Sequence, residues 1–563
     1  MRILAISIAH DSSICSLNDG IIEFYCKEER LSRIKRDKAP FASLDLYKSL
    51  NFGKIDHILY ITPTNGDEAS AYLYGEYTKK TFGVEMENYS ILQHHILHAN
   101  LAFYNSGFTE SLVFVIDRNG SMFFVNGVPA AREAESIYIF SKLGISKTIQ
   151  KNFWIISGQE SNKSSIKKYI ENYYGSDIII NANSINGIVK VYEAATVQIG
   201  QSVLENGKTM GLSSYGDNKY YEPLFISHIP NDLYFSVINN NIPFYRETCF
   251  FEEEDKITNE VTKENYQYYA NKAKHVQTET QNEVLSLIKE QIKKTGIKNI
   301  CIVGGYGLNV VANQYYIKSL PDINFYFEPV ADDSGISIGA TIMKYIELDT
   351  KNTFESMNDN FYHYFNNKEE LDIGIDSSID EICQMLINKK SIAIFEGNPE
   401  AGPRALGHRS ILFDARNIDC KDLINKVKNR EWYRPFAGVI LENEFKNYFD
   451  TMGLSKSEYM TINFDCKENT KNLVPGIVHI DNTSRMQTVS DGFIFDLLNR
   501  FYDLTGCPIL LNTSFNLAGE PLVQTKDDAL LVLEKSCLDA VYFVDENKLV
   551  LNNEYIKGDI IND

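Results

Sequence analysis

No Cys-x-x-Cys pair occurs in this chain: the nine cysteines, at 15, 26, 249, 301, 383, 420, 466, 507 and 537, are scattered. That offers no zinc framework and suits the reduced thiols of a cytoplasmic protein. No apolar run is long enough to span a bilayer, so no membrane segment is expected. The opening Met1–Ala9 meets His10-Asp11 too soon for a signal peptide and reads as a buried strand. Basic residues are also in short supply. Fifty-five Lys and Arg face 75 Asp and Glu, a formal charge of −20, which argues against a generally basic surface for nucleic acid. The local exception is Lys27–Lys38, with six basic and three acidic residues, whose default reading is a solvated face.

What is present is a globular composition, 44% hydrophobic and 23% charged, spread over 563 residues. That length exceeds what one core serves, so two or more domains are expected. Arg2–Ala9 reads as a strand ending at the polar turn His10–Ser13; Cys15–Leu17 returns to the turn signal Asn18-Asp19-Gly20, and Ile21–Tyr25 continues the meander. A second unit echoes it: the apolar Ser111–Ile116 ends at Asp117-Arg118-Asn119-Gly120, and Met122–Val125 returns to Asn126-Gly127. Two strand, acidic-turn, strand units are the pattern of a duplicated actin-like nucleotide-binding fold. Helices are expected near 93–104, 193–204, 278–294 and 336–346, with a strand at Asn299–Val303 breaking at Gly304-Gly305. The Asn/Asp/Glu-rich stretch 351–375 reads as a linker, dividing 1–350 from a second α/β domain at 376–563. Residues 217–275 suggest a substrate-facing insertion.

His94 and His98 lie four apart, so on a helix both imidazoles face one way and can share a metal ion; taken alone, such a pair is more often a core or surface coincidence. Asp117 and Asp333 sit at loops where carboxylates converge in a nucleotide-binding fold, and two imidazoles with carboxylates suit Fe2+ or a similar divalent ion. Gly304-Gly305 makes either a tight turn or, with Asn309, Asn313 and the Asp333-Ser334-Gly335 helix start, an adenosine and phosphate site. His10-Asp11 suits a hydroxyl-activating or phosphate-facing pair and equally a turn cap. In the final third, Arg404, Arg409, Lys428, Arg430, Arg434 and Arg485 are many cations to place among glycine, proline and apolar residues unless anions meet them. Glu400 and Glu431 offer an alternative as internal ion-pair partners. Asn512–Asn516 follows the apolar Ile509–Leu511, so small polar groups emerge where α/β sites lie.

Together these motifs resemble the O-carbamoyltransferase family of the nodulation-factor, cephamycin and aminoglycoside carbamoyltransferases. The residues that carry the resemblance span the chain: Ile8–Ser12, Glu28-Glu29-Arg30, His94–Ala99, Lys208–Leu212, Gly304–Asn309, Gly402–Gly407, Arg434–Ala437, His479-Ile480-Asp481 with Arg485, and Asn512–Asn516. The resemblance implies a duplicated actin-like (ASKHA) domain like the tRNA threonylcarbamoyl transferases, then an α/β domain of the threonylcarbamoyl-adenylate synthase type. It implies that carbamoyl phosphate and ATP, the latter with Mg2+, form carbamoyl-adenylate in the second domain for transfer to a hydroxyl in the first. Lys428, Arg430, Ser514 and Asn516 match the signature pairs, with Arg404, Arg434 and Arg485 gripping phosphate or carbamoyl oxygens. His94, His98, Asp117 and Asp333 match the metal ligands, and His10 the base or orienter of the acceptor. Lys208, Gly304, Gly305, Asn309, Asn313 and Asn512 are the nucleotide-binding candidates. Arg118 stands where the family more often has glycine, placing a cation toward the metal region.

The acceptor stays open. The −20 charge favours a small molecule such as a sugar, nucleoside or natural product. Abundant Asn, Ile, Lys and Tyr fit an AT-rich bacterium or virus, which keeps a 5-hydroxymethylpyrimidine, free or in DNA, as an alternative. A non-enzymatic ATP-dependent sensor on an actin-like fold is the reading of another class; it leaves Lys428, Arg430, Ser514 and Asn516 without a task.

Overall fold

The structure, a computed structural model, describes the chain except for residues 9, 63–67, 89–93, 143–145, 157, 184–186, 218–223, 226–260, 349–370 and 553–563. Most of the expected linker at 351–375 and of the insertion at 217–275 therefore lies outside the described residues. The chain divides into two compact units. Unit one comprises 1–8, 16–21 and 53–356; unit two comprises 9–15, 22–52 and 357–563.

The amino-terminal half is built twice on one plan. Strands β1 (Arg2–Ser7), β2 (Ser13–Asn18), β3 (Ile21–Lys27), β4 (His57–Ile61) and β5 (Met86–Asn88) form a sheet in the order β3-β2-β1-β4-β5, with β1, β4 and β5 parallel. The second sheet repeats that order around β6 (Glu110–Ile116). On one side lie β8 (Val128–Ser141), which also pairs with β7 (Met122–Val125), and then β9 (Ser146–Ile155) and β10 (Ile179–Asn183). On the other lie the parallel β11 (Asn299–Val303) and β12 (Asn324–Phe327). A central strand flanked by a meander on one side and parallel crossovers on the other, occurring twice, is the actin-like arrangement. The polar stretch 128–190, opaque in sequence, supplies the long β8, β9, the helix Lys163–Tyr174 and β10.

Ser111–Ile116 is buried at every position, as a strand covered on both faces must be. Helix His94–Ser106 packs across it and against helix Ile336–Leu348. The two helices meet backbone to backbone at Gly339, where a Cβ would lie 1.9 Å from the Leu97 carbonyl oxygen. Two expected helices shift: 278–294 is the end of the longer Tyr266–Thr295, and 193–204 is Ile188–Gln198; after the break at Gly304 a single 3₁₀ turn, Gly305–Leu308, precedes helix Val310–Ser319. The glycine-punctuated 207–216 is itself mostly helical, over Asn206–Ser213. Among the described residues no helix is long and apolar enough to cross a membrane.

Unit two centres on a mixed sheet of ten strands: β13 (Ile375–Asp376), β14 (Ile392–Phe395), β15 (Arg409–Phe413), β16 (Ala437–Leu441), β17 (Phe449–Asp450), β18 (Asn463–Cys466), β19 (Thr483–Val489), β20 (Ile509–Ser514), β21 (Ala540–Phe543) and β22 (Lys548–Leu551). Their order is β13-β22-β21-β14-β15-β20-β16-β19-β18-β17. The antiparallel run β14-β15-β20-β16 brings together the loop after β14 and the loop before β16, which carry cations, and the end of β20, which carries the neutral Ser514 and leads to Asn516.

Two consequences follow from this packing. Gly339→Val forces the helices apart, so we expect a loss of about 1–3 kcal/mol in stability and a lower thermal midpoint; an unchanged melt would contradict the close approach. Glu328 is fully buried, and burial pushes its carboxyl up to about 7 against hydrogen bonds from the Val330 amide, Asn105 and Tyr326. Its folded value lies above the unfolded one, so its contribution is present below about pH 4.5 and fades as the pH rises through 7, by roughly 3 kcal/mol. Glu328→Gln should flatten that fall in denaturant titrations between pH 4.5 and 7.

Candidate functional site

Two groups of polar residues stand out, one in each unit, and they carry opposite needs. In unit one, His94 and His98 project from the first turns of their helix toward Asp117, at the end of β6, and Asp333, ahead of helix Ile336–Leu348. All four are buried, and one ligand atom from each lies within 4.8 Å of all the others. His94 Nε2 is 3.5 Å from Asp117 Oδ2 and 3.5 Å from Asp333 Oδ1, and His98 Nε2 is 3.5 Å from the same Asp333 oxygen. Those separations are long for N–H···O bonds but match donors sitting ~2.1 Å from a shared ion. Neither ring nitrogen of His94 or His98 has a hydrogen-bond partner, an unusual state for buried imidazoles. Burial opposes charge on His94, yet the carboxylates of Asp333 and Asp117 outweigh it and push the imidazole up to about 10. Asp117 is held well below the usual carboxylate range, its two histidine neighbours overcoming burial and the Asp333 charge. The residues fit a divalent cation such as ferrous iron, and their field asks for one.

The surroundings aim these ligands. The Gly305 amide donates to Asp117 Oδ1 at 3.0 Å, leaving Oδ2 for the histidine side. Gly304 lies at φ +87°, and a Cβ there would meet the Ile116 carbonyl at 2.5 Å. The glycine turn thus has a definite task at the metal group, whatever else binds to it. Ser121 Oγ accepts from the His94 amide, and the Ser121 amide in turn donates to Glu133. Glu133 is fully buried, paired with Lys151 and 3.8 Å from His95 Nδ1. Sequence reading missed Glu133 and Lys151; the available signal was a pair of charges in strands otherwise rich in apolar and aromatic residues.

The other unit-one candidates serve the frame in this structure. Asn309 caps helix Val310–Ser319 and exchanges hydrogen bonds with Gln277. Asn313 donates to the Gly307 carbonyl at 2.8 Å, and Lys208 pairs with Glu205.

Unit two holds the cations. Helix Cys420–Lys428 ends at the left-handed Asn429, and Lys428 Nζ, buried, donates to Ser514 Oγ at 3.1 Å, Asn516 Oδ1 at 2.9 Å and the Asn516 carbonyl at 3.0 Å. The Lys-x-Arg and Ser-x-Asn motifs, 86 residues apart in sequence, are one cluster. Arg430 lies over the Phe436 ring, 4.4 Å from its centroid, and donates to Asn425 Oδ1 and the Pro435 carbonyl. Arg434 reaches Glu431 at 3.5 Å. Arg485, on β19, keeps a buried Nε without a hydrogen-bond partner. Burial drives the Arg485 guanidinium well below its ordinary range, and Arg404, Arg430 and Arg434 push it further. Lys428 is likewise lowered by burial, then by Arg430, Arg434 and Lys35. Arg404 falls to about 10 through burial and Arg434. Cations that suppress one another behind a dry wall bind polyanions such as phosphates. Asn512, in β20, hydrogen-bonds Gln487 at 2.8 Å and leaves its Oδ1 unpartnered.

Other cations of this unit are engaged by the fold itself. Arg409 is fully buried over the Phe395 ring, 3.5 Å from its centroid, and donates to the carbonyls of Glu396, Gly397 and His408. Glu400 accepts from the amides of Leu406, His408 and Arg409 and so shapes the Arg404 loop. The expectation of a solvated face at 27–38 holds for the exposed Lys35 and Lys38 and is corrected at the start of the segment: Lys27 and Arg30 are buried, and Arg30 donates to the carbonyls of Glu400 and Gly402. Arg33 bonds the carbonyls of Leu522 and Pro521 and pairs with Asp528. His10 belongs to this unit as well, with Nδ1 3.0 Å from Asp11 Oδ2 and Asp11 Oδ1 3.5 Å from Lys27 Nζ.

Family models described as carbamoyltransferase N-terminus and carbamoyltransferase C-terminus match residues 68–342 and 383–550. Nodulation protein NolNO of Sinorhizobium fredii is 27% identical over an alignment covering 94% of this chain and 78% of that protein. The uncharacterized protein MJ1051 of Methanocaldococcus jannaschii is 28% identical over 96% of this chain and 98% of its own. Among solved structures, full-length HypF in its phosphate- and nucleotide-bound form superposes with a TM-score of 0.38 at 15% identity, over 63% of this chain and 56% of that one.

The histidine and aspartate group makes a direct prediction. Equilibrium dialysis under anaerobic conditions should find about one Fe2+ or Mn2+ per chain, and His98→Ala or Asp333→Asn should weaken that binding by ~10–100-fold. Saturating metal should raise the thermal midpoint of the wild type and not of the variants. Equal binding by all three proteins would remove the metal assignment.

Proposed function

Because the chain belongs to the carbamoyltransferase family, we propose that its unit two activates carbamate as an adenylate and its unit one passes the carbamoyl group to a hydroxyl. Carbamate is a poor acyl donor until its oxygen is joined to a good leaving group. In the proposed sequence carbamoyl phosphate and water give carbamate and phosphate; a carbamate oxygen then attacks the α-phosphorus of ATP and expels pyrophosphate. The acceptor oxygen attacks the carbonyl carbon of the adenylate, the carbon–oxygen bond to AMP breaks, and the hydroxyl proton leaves to a base. The products are the carbamate ester and AMP.

The observation that carries this reading is the meeting of Lys428 with Ser514 and Asn516 among mutually suppressing guanidinium groups. Charge on the triphosphate and on the carbamate relieves exactly that repulsion, so stabilisation grows where negative charge concentrates during phosphoryl transfer. Arg404, Arg430, Arg434 and Arg485 grip phosphate and carbamoyl oxygens, while Lys428, held by neutral oxygens, is poised to bridge. In unit one, His94, His98, Asp117 and Asp333 would hold the divalent ion, which polarises the donor's carbonyl or phosphate. His10, oriented by Asp11, is the candidate proton acceptor for the incoming hydroxyl. The acceptor class we favour is a small hydroxyl compound, in keeping with the charge of −20.

The test separates the half-reactions. Wild-type protein should release pyrophosphate from ATP only when carbamoyl phosphate is present, and Lys428→Ala should lower that release by at least ~100-fold while melting within a few degrees of wild type. His94→Ala should retain adenylate formation and lose transfer. ATP turnover indifferent to carbamoyl phosphate, or full activity in Lys428→Ala, would overturn the assignment.

A further inference from the structure

Beside the metal group, on the β8 and β9 side of β6, lies a second set of cations that the chemistry above does not use. Arg118 follows Asp117 directly and grips Glu193 through two nitrogens, one at 3.2 Å and a shorter one from Nε. Lys190, one turn earlier on helix Ile188–Gln198, reaches the same carboxylate at 3.2 Å. Arg132 on β8 stands directly opposite Trp154 on β9. Lys190 Nζ lies 6.0 Å from the Trp154 ring centroid.

Two of these cations share Glu193, and the third adds charge that it does not balance. Among the described residues Arg132 has no carboxylate within ion-pair reach. Its Nε is buried without a hydrogen-bond partner, and so is Nε1 of Trp154 across the strand pair. Two dry N–H donors on directly opposed residues of paired strands, neither with an acceptor, are costly. Burial and then Arg118 lower the Arg132 guanidinium, and burial lowers Lys190 against the pull of Glu193. The elements that hold the patch are themselves fixed: the Ile188 amide donates to the buried Glu135 at 2.7 Å, tying the helix to β8.

We propose that Arg118, Arg132, Lys190 and the Trp154 indole N–H form a phosphate subsite that holds a phosphorylated small-molecule acceptor with its hydroxyl toward the metal group. This rests on the transfer reaction proposed above. The glycine turn Gly304-Gly305 lies on the opposite side of β6, at the end of β11, and a nucleotide donor belongs with that turn. The cations on the β8 and β9 side are then left to the other substrate. Arg132 and Trp154 supply aligned donors to phosphate oxygens, and Arg118 is shared between Glu193 and the ligand. A phosphate therefore acts as the handle that sets which hydroxyl reaches the carbamoyl carbon.

The test uses the full-length protein and four probes in isothermal titration: uridine 5′-monophosphate, uridine, AMP and a short single-stranded oligonucleotide. Uridine monophosphate should bind at least tenfold more tightly than uridine, and Arg132→Ala should remove that difference while Arg132→Lys retains most of it. Arg118→Gly, which relieves no packing, should weaken uridine monophosphate in the same direction and guards against a misfolded Arg132→Ala. In transfer assays kcat/KM should fall at least tenfold when a phosphorylated hydroxyl compound is replaced by its dephosphorylated twin. Equal binding of uridine and its monophosphate, or no binding of either, overturns the subsite. So does an unchanged affinity in both variants. AMP competing with uridine monophosphate in an Arg132-dependent manner would reassign the patch to the donor, and oligonucleotide binding lost in the variants without monophosphate binding would reassign it to a strand; either result overturns the proposal. Phosphate-selective binding through Arg132 in a protein that releases no pyrophosphate would support the subsite and sink the adenylate reading, so the two stand or fall separately.

Discussion

Buried charge that the chain does not itself neutralise organises both units. Moving an ion out of water costs several kcal/mol even after relaxation, so a fold keeps such groups only where something else completes them. Unit one concentrates two carboxylates and two imidazoles whose nitrogens have no hydrogen-bond partner. Unit two concentrates Lys428 and arginines that depress one another. The first group is suited to a cation and the second to an anion, and neighbouring residues hold each group in place.

That scaffolding is mostly neutral. Lys428 is held by the hydroxyl, amide and carbonyl oxygens of Ser514 and Asn516, and Arg430 by an asparagine oxygen, a carbonyl and an aromatic face. Neutral partners fix geometry without cancelling charge, so the attraction for a ligand survives folding. Arg409 and Arg30 likewise donate to loop carbonyls, and these bonds give the Arg404 segment its shape. In unit one the Gly305 amide, Ser121 and the Glu133–Lys151 pair play the corresponding part. The Gly339 contact with Leu97 brings the two ligand-bearing helices within range of one ion.

Family membership sets the class of chemistry, carbamoyl transfer. Between β8 and the helix Ile188–Gln198, Arg118 and Lys190 share Glu193 while Arg132 stands opposite Trp154.

The sequence by itself determined the mixed α/β plan and the actin-like duplication, and it named the candidate residues for the metal group and the cradle. These signals are local: apolar runs ending at Asp117, histidines one helical turn apart, and glycine, arginine and Ser-x-Asn motifs read within a few residues. Only the tertiary structure decided which chemically similar residues do which work. Arg404 and Arg409 lie five positions apart on one loop, yet burial over Phe395 and three carbonyl acceptors make Arg409 a strut. Residues 9–15 and 22–52 join the compact unit of the carboxy-terminal sheet, and Lys27 and Arg30 are buried rather than solvated. The pairing of Arg132 with Trp154 was equally invisible, because cross-strand register sets it. Register, burial and carbonyl direction depend on long-range packing, and a side chain's charge in sequence says nothing about what will surround it.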